Sequence, residues 1–264
     1  MRYGICLANI GTYSNPRAAM EMAAAGEASG WDGIFVWDHL AFVWDRAAAD
    51  PWVVLAAVAA TTERMRVGTA VTPVARRRPQ VLAHQVATLD VLSGGRVIFG
   101  AGLGGVASEF SKFGEAADAA VRAERLDEGL DVLRALWAGE HVVHAGKHYT
   151  VDGVTLSPLP VQRTLPVWIG GNRSPSQRRA ARWDGWCADS SDPTGMTLSP
   201  DEVARGVETI GRDDDFDVAV IGYHDRIAPG KYERAGATWW MESIHDMRGS
   251  YDEMVSLVGR GPPR

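Results

Sequence analysis

Short apolar runs alternate with longer amphipathic stretches along this chain. The first pair is YGICLA, followed by an alanine-rich stretch over 16–29 in which Pro16 favours a helix start. In AVRAERLDEGLDVLRALW, residues Leu126, Leu130, Leu133 and Trp137 recur every three or four positions, as one helix face requires. Further strands are predicted over 33–37, 65–71, 96–101, 165–171, 185–189, 217–223 and 237–243, and further helices over about 51–62, 79–92, 174–183 and 251–258.

Eight strands alternating with helices, without a composition break or a linker, predict one parallel (β/α)8 barrel. This TIM-like α/β fold would form a single domain over residues 1–264, and barrels of this kind use about 250 residues. A doubly wound sheet would need fewer strands or a second domain. The polar segment HVVHAGKHYTVDG, residues 141–153, interrupts the alternation and predicts a hairpin insertion after the fourth helix.

Composition narrows the class of protein. The chain is 46% hydrophobic and 23% charged, as in soluble globular enzymes, and its net charge of −6 gives no electrostatic reason to expect a nucleic-acid partner. No apolar run reaches about 18 residues, so we expect no membrane span. The start MRYGICLANI lacks the features of a secretory signal, and Cys6 and Cys187 lie in apolar runs typical of buried thiols, so we expect a cytoplasmic protein. The oligomeric state stays open, with a homo-oligomer as one option.

The stretch GAGLGG, residues 100–105, satisfies the pattern G-x-G-x-x-G of dinucleotide-binding turns. Such a turn normally follows the first strand, and an acidic residue about 20 positions later closes the second strand. Here the glycines follow the fourth strand, and Glu124 lies inside a predicted helix. We therefore disfavour a dinucleotide site. Bare backbone at Gly102, Gly104 and Gly105 offers a surface for a flat ring, and a tight turn without a ligand is the alternative.

The same stretch carries a family resemblance. RVIFGAGLGGVASEFSKFG resembles the fourth-strand segment of the bacterial luciferase-like flavin and deazaflavin oxidoreductases, with the pattern R-[apolar]3-G-x-G-x-G…E-[FY]-x-x-F-G. Three further segments are similar to that family in the right order, namely GWDGIFVWDHL, RMRVGTAVTPVARRRPQVLAHQVATLDVLSGGR and PLPVQRTLPVWIGGNRSPSQRRAARWDGW. The resemblance implies a TIM-like barrel that binds the flavin or deazaflavin ring at its C-terminal mouth.

The resemblance also implies roles for individual residues. Members of the family that oxidise a sugar phosphate carry a catalytic glutamate where this chain has Gly105, so that activity is not expected. The implied positions are Asp38 and His39 at the border of ring and substrate, Ala70 and Val71 in a non-prolyl cis peptide that buttresses the ring, Leu103 and Gly104 against the cofactor, and Gly170 and Gly171 along the path to its phosphate.

Residue chemistry supports some of these positions independently. His39 directly follows an apolar strand, where barrels present catalytic groups, and its imidazole can donate or accept a proton near neutral pH. A purely structural histidine is the alternative, and Asp38 suits a helix or turn cap equally well. Phe42 and Trp44 in the same loop are candidates for the substrate pocket, whereas Trp37 is expected in the core.

Polar and basic clusters give three further expectations. Asn172 and Ser174, with Ser176, open the helix after strand five as a seat for a phosphate, where Ser174 also suits N-capping. The run ARRRP, residues 75–79, is expected on a solvated face, with attraction of an anionic cofactor tail as the alternative. His141, His144 and His148 do not complete a ligand set with tetrahedral geometry, so no metal is expected.

Together these patterns favour an oxidoreductase that uses coenzyme F420 for hydride transfer with an unidentified small organic substrate. The Asp-His-Leu form of the loop at 38–40 resembles the deazaflavin members more than the FMN members. An FMN-dependent monooxygenase that uses oxygen is the alternative. A non-catalytic flavin-binding barrel or partner subunit is the alternative from another class.

Overall fold

The computed structural model describes residues 1–211 and 215–263. Within them, parallel strands and helices alternate eight times. The strands are Arg2–Leu7 (β1), Gly33–Val36 (β2), Arg66–Thr69 (β3), Val97–Gly102 (β4), Val167–Gly170 (β5), Gly185–Asp189 (β6), Asp217–Gly222 (β7) and Trp239–Ile244 (β8). The helices that follow them are Pro16–Ala28 (α1), Pro51–Thr61 (α2), Pro79–Ser93 (α3), Ala119–Trp137 (α4), Ser174–Ala180 (α5), Pro200–Ile210 (α6), Gly230–Glu233 (α7) and Tyr251–Gly259 (α8).

The strands close into a barrel. Their order is β3-β2-β1-β8-β7-β6-β5-β4, all neighbours are parallel, and β4 pairs back onto β3 through Val67 with Val97 and Gly68 with Ile98. The predicted (β/α)8 barrel is confirmed. The carboxyl ends of the eight strands therefore surround one mouth, where this architecture carries its chemistry.

Large aromatic side chains fill the barrel interior. Phe35 stacks on Trp168 with ring centroids 5.2 Å apart and meets Trp239 edge-on at 5.7 Å. All three side chains are buried, as are Cys6 and Cys187 beside them. The interior is thus a packed core, so a ligand at the mouth would rest on the uppermost layer of side chains.

Local sequence explains where the helices begin and end. Asp50 accepts hydrogen bonds from the backbone at the start of α2, and Ser199 forms a capping box with Glu202 at the start of α6. Gly94, with a φ of 66°, ends α3 in the left-handed conformation that favours glycine. The caps of Asp50 and Ser199 fix where the loops that leave the mouth enter α2 and α6, whereas Gly94 begins the turn to β4 at the other end of the barrel.

A two-stranded hairpin follows α4. Its strands, Val142–Ala145 and Thr150–Val154, run antiparallel, and Glu128 of α4 accepts hydrogen bonds from the backbone of His148 and Tyr149. Shorter elements complete the chain: the turns Gly11–Ser14, Ala41–Trp44 and Val74–Arg76, the one-turn helix Ser108–Ser111, the strand Thr72–Pro73 beside β4, and the ladder of Ser191–Asp192 with Gly195–Met196. In the part of the chain described, no helix is both long and apolar enough to span a bilayer.

Candidate active site

One side of the mouth, at the ends of β3, β4 and β5, is formed by Val71 and glycines. The peptide bond between Ala70 and Val71 is cis, which confirms the geometry expected there. The Val71 side chain packs over glycines, because a Cβ placed on Gly102 or Gly170 would lie 2.4 or 2.8 Å from Val71 Cγ2. We call Val71, Gly102 and Gly170 the platform. These glycines leave room for the Val71 side chain, which explains why β4 and β5 each end in a glycine.

The loop after β4 is held in place beside the platform. Gly104 has a φ of 83°, and a Cβ there would lie 2.9 Å from the Phe110 ring. Arg122 of α4 donates to the Gly104 carbonyl at 2.5 Å and lies over the same ring, 4.8 Å from its centroid. Leu103 is half-buried and packs against the core. The loop thus presents Leu103 and Gly104 from a fixed backbone.

Asp38 lies behind the mouth surface rather than on it. Its carboxylate is 1% exposed and accepts hydrogen bonds at 2.8 Å from Arg76 and from Arg77. The expectation of a solvated face for the run 75–79 is therefore wrong for these two arginines, whose side chains are 5% and 17% exposed. Burial next to carboxylates from other loops accounts for the difference, and Arg78 alone of the three is exposed.

His39 is held by a carboxylate that sequence reasoning missed. Its Nδ1 lies 2.9 Å from Oε1 of Glu109, which also accepts from the Leu40 backbone N–H at 2.9 Å, while Arg76 binds the other carboxylate oxygen. Glu109 is fully buried. Burial alone would raise the pKa of Glu109, but His39 and Arg76 outweigh it and the net shift is downward. The ionised carboxylate accepts, so Nδ1 of His39 carries the proton.

Aromatic rings flank His39 on two sides. The ring centroids of Trp37 and Trp44 lie 5.6 and 5.2 Å from that of the imidazole. Trp37 packs against the barrel interior but keeps part of its surface exposed, so it belongs to the core and to the mouth. Phe42 is 54% exposed and meets Phe113 edge-on at 6.1 Å. The imidazole is a quarter exposed, and it contacts Trp37 and Trp44 as well as Glu109.

The loop after β5 borders a cleft of about 440 Å³ between α5 and α6, lined in part by Asn172, Arg173 and Ser174. Gly171 has a φ of 120°, and a Cβ there would lie 2.8 Å from Ser176 Oγ. Asn172 donates to the Asp189 carbonyl at 2.5 Å. Ser174 lies inside α5, because the N-cap position is Arg173, so the capping role expected for Ser174 is wrong.

The hairpin histidines are paired with acidic groups of α4 or with a hydroxyl. His144 contacts Glu128 at 3.0 Å, His148 contacts Glu124 at 2.9 Å, and His141 contacts Thr155 Oγ1 at 3.4 Å. Over residues 1–211 and 215–263, no group of three or more histidine, cysteine or acidic side chains is arranged to hold a metal ion.

Comparison with known proteins places this geometry in context. Residues 1–224 match the family model described as luciferase-like monooxygenase. The chain is 35% identical over 222 residues to an F420-dependent glucose-6-phosphate dehydrogenase of Microbacterium testaceum, and 33% identical over 207 residues to one of Nakamurella multipartita. These alignments cover 79% and 75% of this chain but 65% and 60% of the relatives, so the chain spans less than two thirds of their length.

Solved structures share the fold over nearly the whole chain. The monooxygenase RslO1 from Streptomyces bottropensis gives a TM-score of 0.80 at 19% identity, covering 98% of this chain and 96% of that protein. The F420-dependent tetrahydromethanopterin reductase from Methanopyrus kandleri gives 0.75 at 18% identity, covering 98% and 97%. At identities of 18 to 19%, this similarity is evidence for a shared fold alone.

Proposed function

The chain belongs to the luciferase-like monooxygenase family, and on that premise we propose that it is an oxidoreductase that transfers a hydride between coenzyme F420 and a small organic substrate. The observation that carries the proposal is the His39–Glu109 pair beside the platform. The F420-dependent relatives, at 35% and 33% identity, favour the deazaflavin over FMN.

The residues at the mouth fit a flat ring with a phosphate-bearing tail. The Val71 side chain of the platform provides an apolar surface, and a Cβ on Gly102 or Gly170 would displace it. Leu103 and Gly104 would border the ring, and Gly171, Asn172 and Ser174 would direct the tail towards the cleft between α5 and α6. The Arg173 side chain at that cleft adds a positive charge that suits an anion.

The bound deazaflavin would supply a two-electron hydride acceptor or donor, and the protein would handle the accompanying proton. Because Nδ1 of His39 is committed to Glu109, Nε2 is the nitrogen assigned to exchange a proton with the substrate oxygen. Glu109 holds the ring orientation and stabilises the imidazole when it is charged, and Arg76 keeps Glu109 ionised. Trp37 and Trp44 pack edge-on against the imidazole and cover part of its surface.

Replacement of His39 tests this assignment. Wild type and His39→Ala are each titrated with F420 and with FMN, and single-turnover rates are measured on a panel of small alcohols, aldehydes and enones. We expect F420 to bind both proteins with similar affinity, and the variant to lose roughly 100-fold or more in rate, the usual share of acid–base catalysis. His84→Ala, at an exposed position on α3, is the matched control.

Three results would change the proposal. Binding of FMN with oxygen consumption, but not of F420, would favour the monooxygenase alternative. Cofactor binding without turnover on any probe would favour a non-catalytic barrel. An unchanged rate in His39→Ala, together with weaker cofactor binding, would leave His39 as part of the pocket wall.

A further inference from the structure

A cavity of about 370 Å³ lies between the start of α3, α4 and the hairpin. Its lining comes from the run 75–80, from Glu115 and α4, and from hairpin residues 148–151. Among the described residues that line it, none belongs to the platform or to the loop after β5. The cavity is therefore separate from the site proposed for the ring and its tail. Its volume is near the lower end of the range for ligand pockets, about 300 to 1,000 Å³, so a small molecule suits it.

Arginines form one wall of this cavity. Arg76 and Arg77 line it, but their guanidinium groups bind the carboxylates of Asp38 and Glu109. Arg78 is exposed, and its side chain has no acidic partner among the residues described. This wall therefore favours a ligand that carries a negatively charged group.

Two side chains of opposite charge face the cavity without partners. Arg125 of α4 and Glu115, which precedes α4, are both half-buried and both line it. Within the part of the chain described, Arg125 Nε and Glu115 Oε2 are buried without a hydrogen-bond partner, and neither side chain makes an ion pair. Folded proteins pair nearly all of their buried polar atoms. A donor and an acceptor left open in one cavity therefore point to a ligand that pairs with both.

Tyr149 of the hairpin lies near both of these charges. Its ring packs against α4, where a Cβ on Gly129 would lie 3.5 Å from Tyr149 Cε2. Burial raises the pKa of the Tyr149 phenol, Arg125 opposes this shift, and Glu128 and Glu115 add to it. Because Arg125 and Glu115 both act on this one phenol, they lie within reach of one small molecule in the cavity.

Apolar side chains complete the lining. Val132 of α4 and Pro79 of α3 are buried, and Val151 of the hairpin is half-buried. A ligand that pairs with Arg125 and Glu115 would therefore also meet apolar surface, which suits a short aliphatic chain.

We propose that this cavity binds a zwitterionic amino acid with an aliphatic side chain, independently of the proposed function. The carboxylate of the ligand accepts from Arg125, and its ammonium group donates to Glu115. Its aliphatic chain rests against Val132 and Val151. The ligand thus pairs two charges that the folded chain leaves unpaired, through charge-assisted hydrogen bonds.

Three matched probes test the proposal. Dissociation constants are measured by saturation-transfer NMR for L-leucine, for 4-methylpentanoate, which lacks the ammonium group, and for 3-methylbutylamine, which lacks the carboxylate. We expect leucine to bind about tenfold more tightly than either analogue, because each analogue loses one charge-assisted hydrogen bond. Arg125→Met should remove the advantage of leucine over 3-methylbutylamine, and Glu115→Gln its advantage over 4-methylpentanoate. Arg134→Met and Glu140→Gln, at exposed positions on α4 and just after it, are the matched controls.

Melting temperatures without leucine show whether the two charges instead serve the fold. Because neither charge has a partner, Arg125→Met and Glu115→Gln should leave the melting temperature unchanged or raise it, and the double variant should show no coupling. Coupling between the two substitutions would show that the side chains pair with each other, and it would overturn the proposal.

Three binding results would also overturn it. The first is the absence of saturable leucine binding. The second is equal affinity for leucine and 4-methylpentanoate, which would indicate a site for a plain anion. The third is competitive displacement of leucine by F420, which would assign the cavity to the cofactor. Leucine binding that follows the expected pattern in a protein that fails to bind F420 would refute the proposed function and leave the amino-acid site standing.

Discussion

Glu109→Gln is the sharpest perturbation of the candidate site. The substitution keeps the shape of the side chain and one oxygen that can accept from His39 Nδ1 and the Leu40 N–H. It removes the negative charge from a fully buried position and turns an amide N–H₂ towards the Arg76 guanidinium. The imidazole therefore stays close to its position, but it loses the charge that stabilises its protonated form.

The structure sets the expected magnitudes. Removing one partner of a buried ion pair costs about 3 to 5 kcal/mol, and the lower end applies because Arg76 keeps Asp38. A loss of about 3 kcal/mol lowers the melting temperature of a chain of this size by roughly 6 to 12 °C. If His39 exchanges the proton, we also expect a rate loss of about 100-fold, because acid–base catalysis supplies effects of that order.

Rates are measured under single-turnover conditions at a temperature where both proteins remain folded. The matched control is Glu128→Gln, which removes a carboxylate 3.0 Å from His144 on the hairpin and should leave the rate unchanged. The reasoning also predicts non-additivity. In a His39→Ala background, Glu109→Gln should reduce the rate by less than about twofold, because its partner is gone. A further loss of the full 100-fold there would show that Glu109 does not act through His39.

Two further predictions concern the platform and acid stability. Gly102→Ala should destabilise the fold by about 1 to 3 kcal/mol and weaken F420 binding, because the new Cβ would lie 2.4 Å from Val71 Cγ2. Gly259→Ala, at the end of α8, has open space and should lower neither quantity; equal effects of the two would contradict the platform. Folding lowers the pKa of Glu109, so its ionised carboxylate stabilises the folded protein at pH values above the unfolded pKa of about 4.3. That stabilisation is lost as the pH falls through the lower pKa of the folded protein. Urea titrations at neutral pH and below about pH 4 give the unfolding free energies of wild type and Glu109→Gln. The difference between the two proteins should be smaller in acid, and a constant difference would refute the assignment.

The spacing of apolar residues predicted the barrel, because each strand and each predicted helix carries its own apolar pattern within a short segment. The predicted runs at 33–37 and 185–189 match β2 and β6 to within a residue. Helix α6 was not predicted, although SPDE at 199–202 carries a capping box directly before it. That capping signal would have predicted the helix if it had been combined with the apolar positions Val203, Gly206 and Ile210. All three residues are buried.

The ion-pair network behind His39 could not be read from periodicity. Its members come from three loops, and the sequence separations of Glu109 from His39 and Arg76 are 70 and 33 residues. A run of arginines is usually solvated, so nothing local distinguishes Arg76 from Arg78. The family pattern did contain Glu109 as its single acidic position after the glycines, and that position was the available clue.

The two sides of the mouth differ in how far sequence could describe them. Glycines mark the platform because a backbone that must accommodate Val71 admits no Cβ, and this constraint appears directly in the letters of β4 and β5. The opposite side of the mouth has no such constraint, since Asp189, Tyr223 and His245 lie at or just beyond the ends of β6, β7 and β8 and come together only when the barrel closes. The proposed ring site is therefore recognisable from single strands, whereas the opposite side of the mouth can be recognised only in the closed barrel.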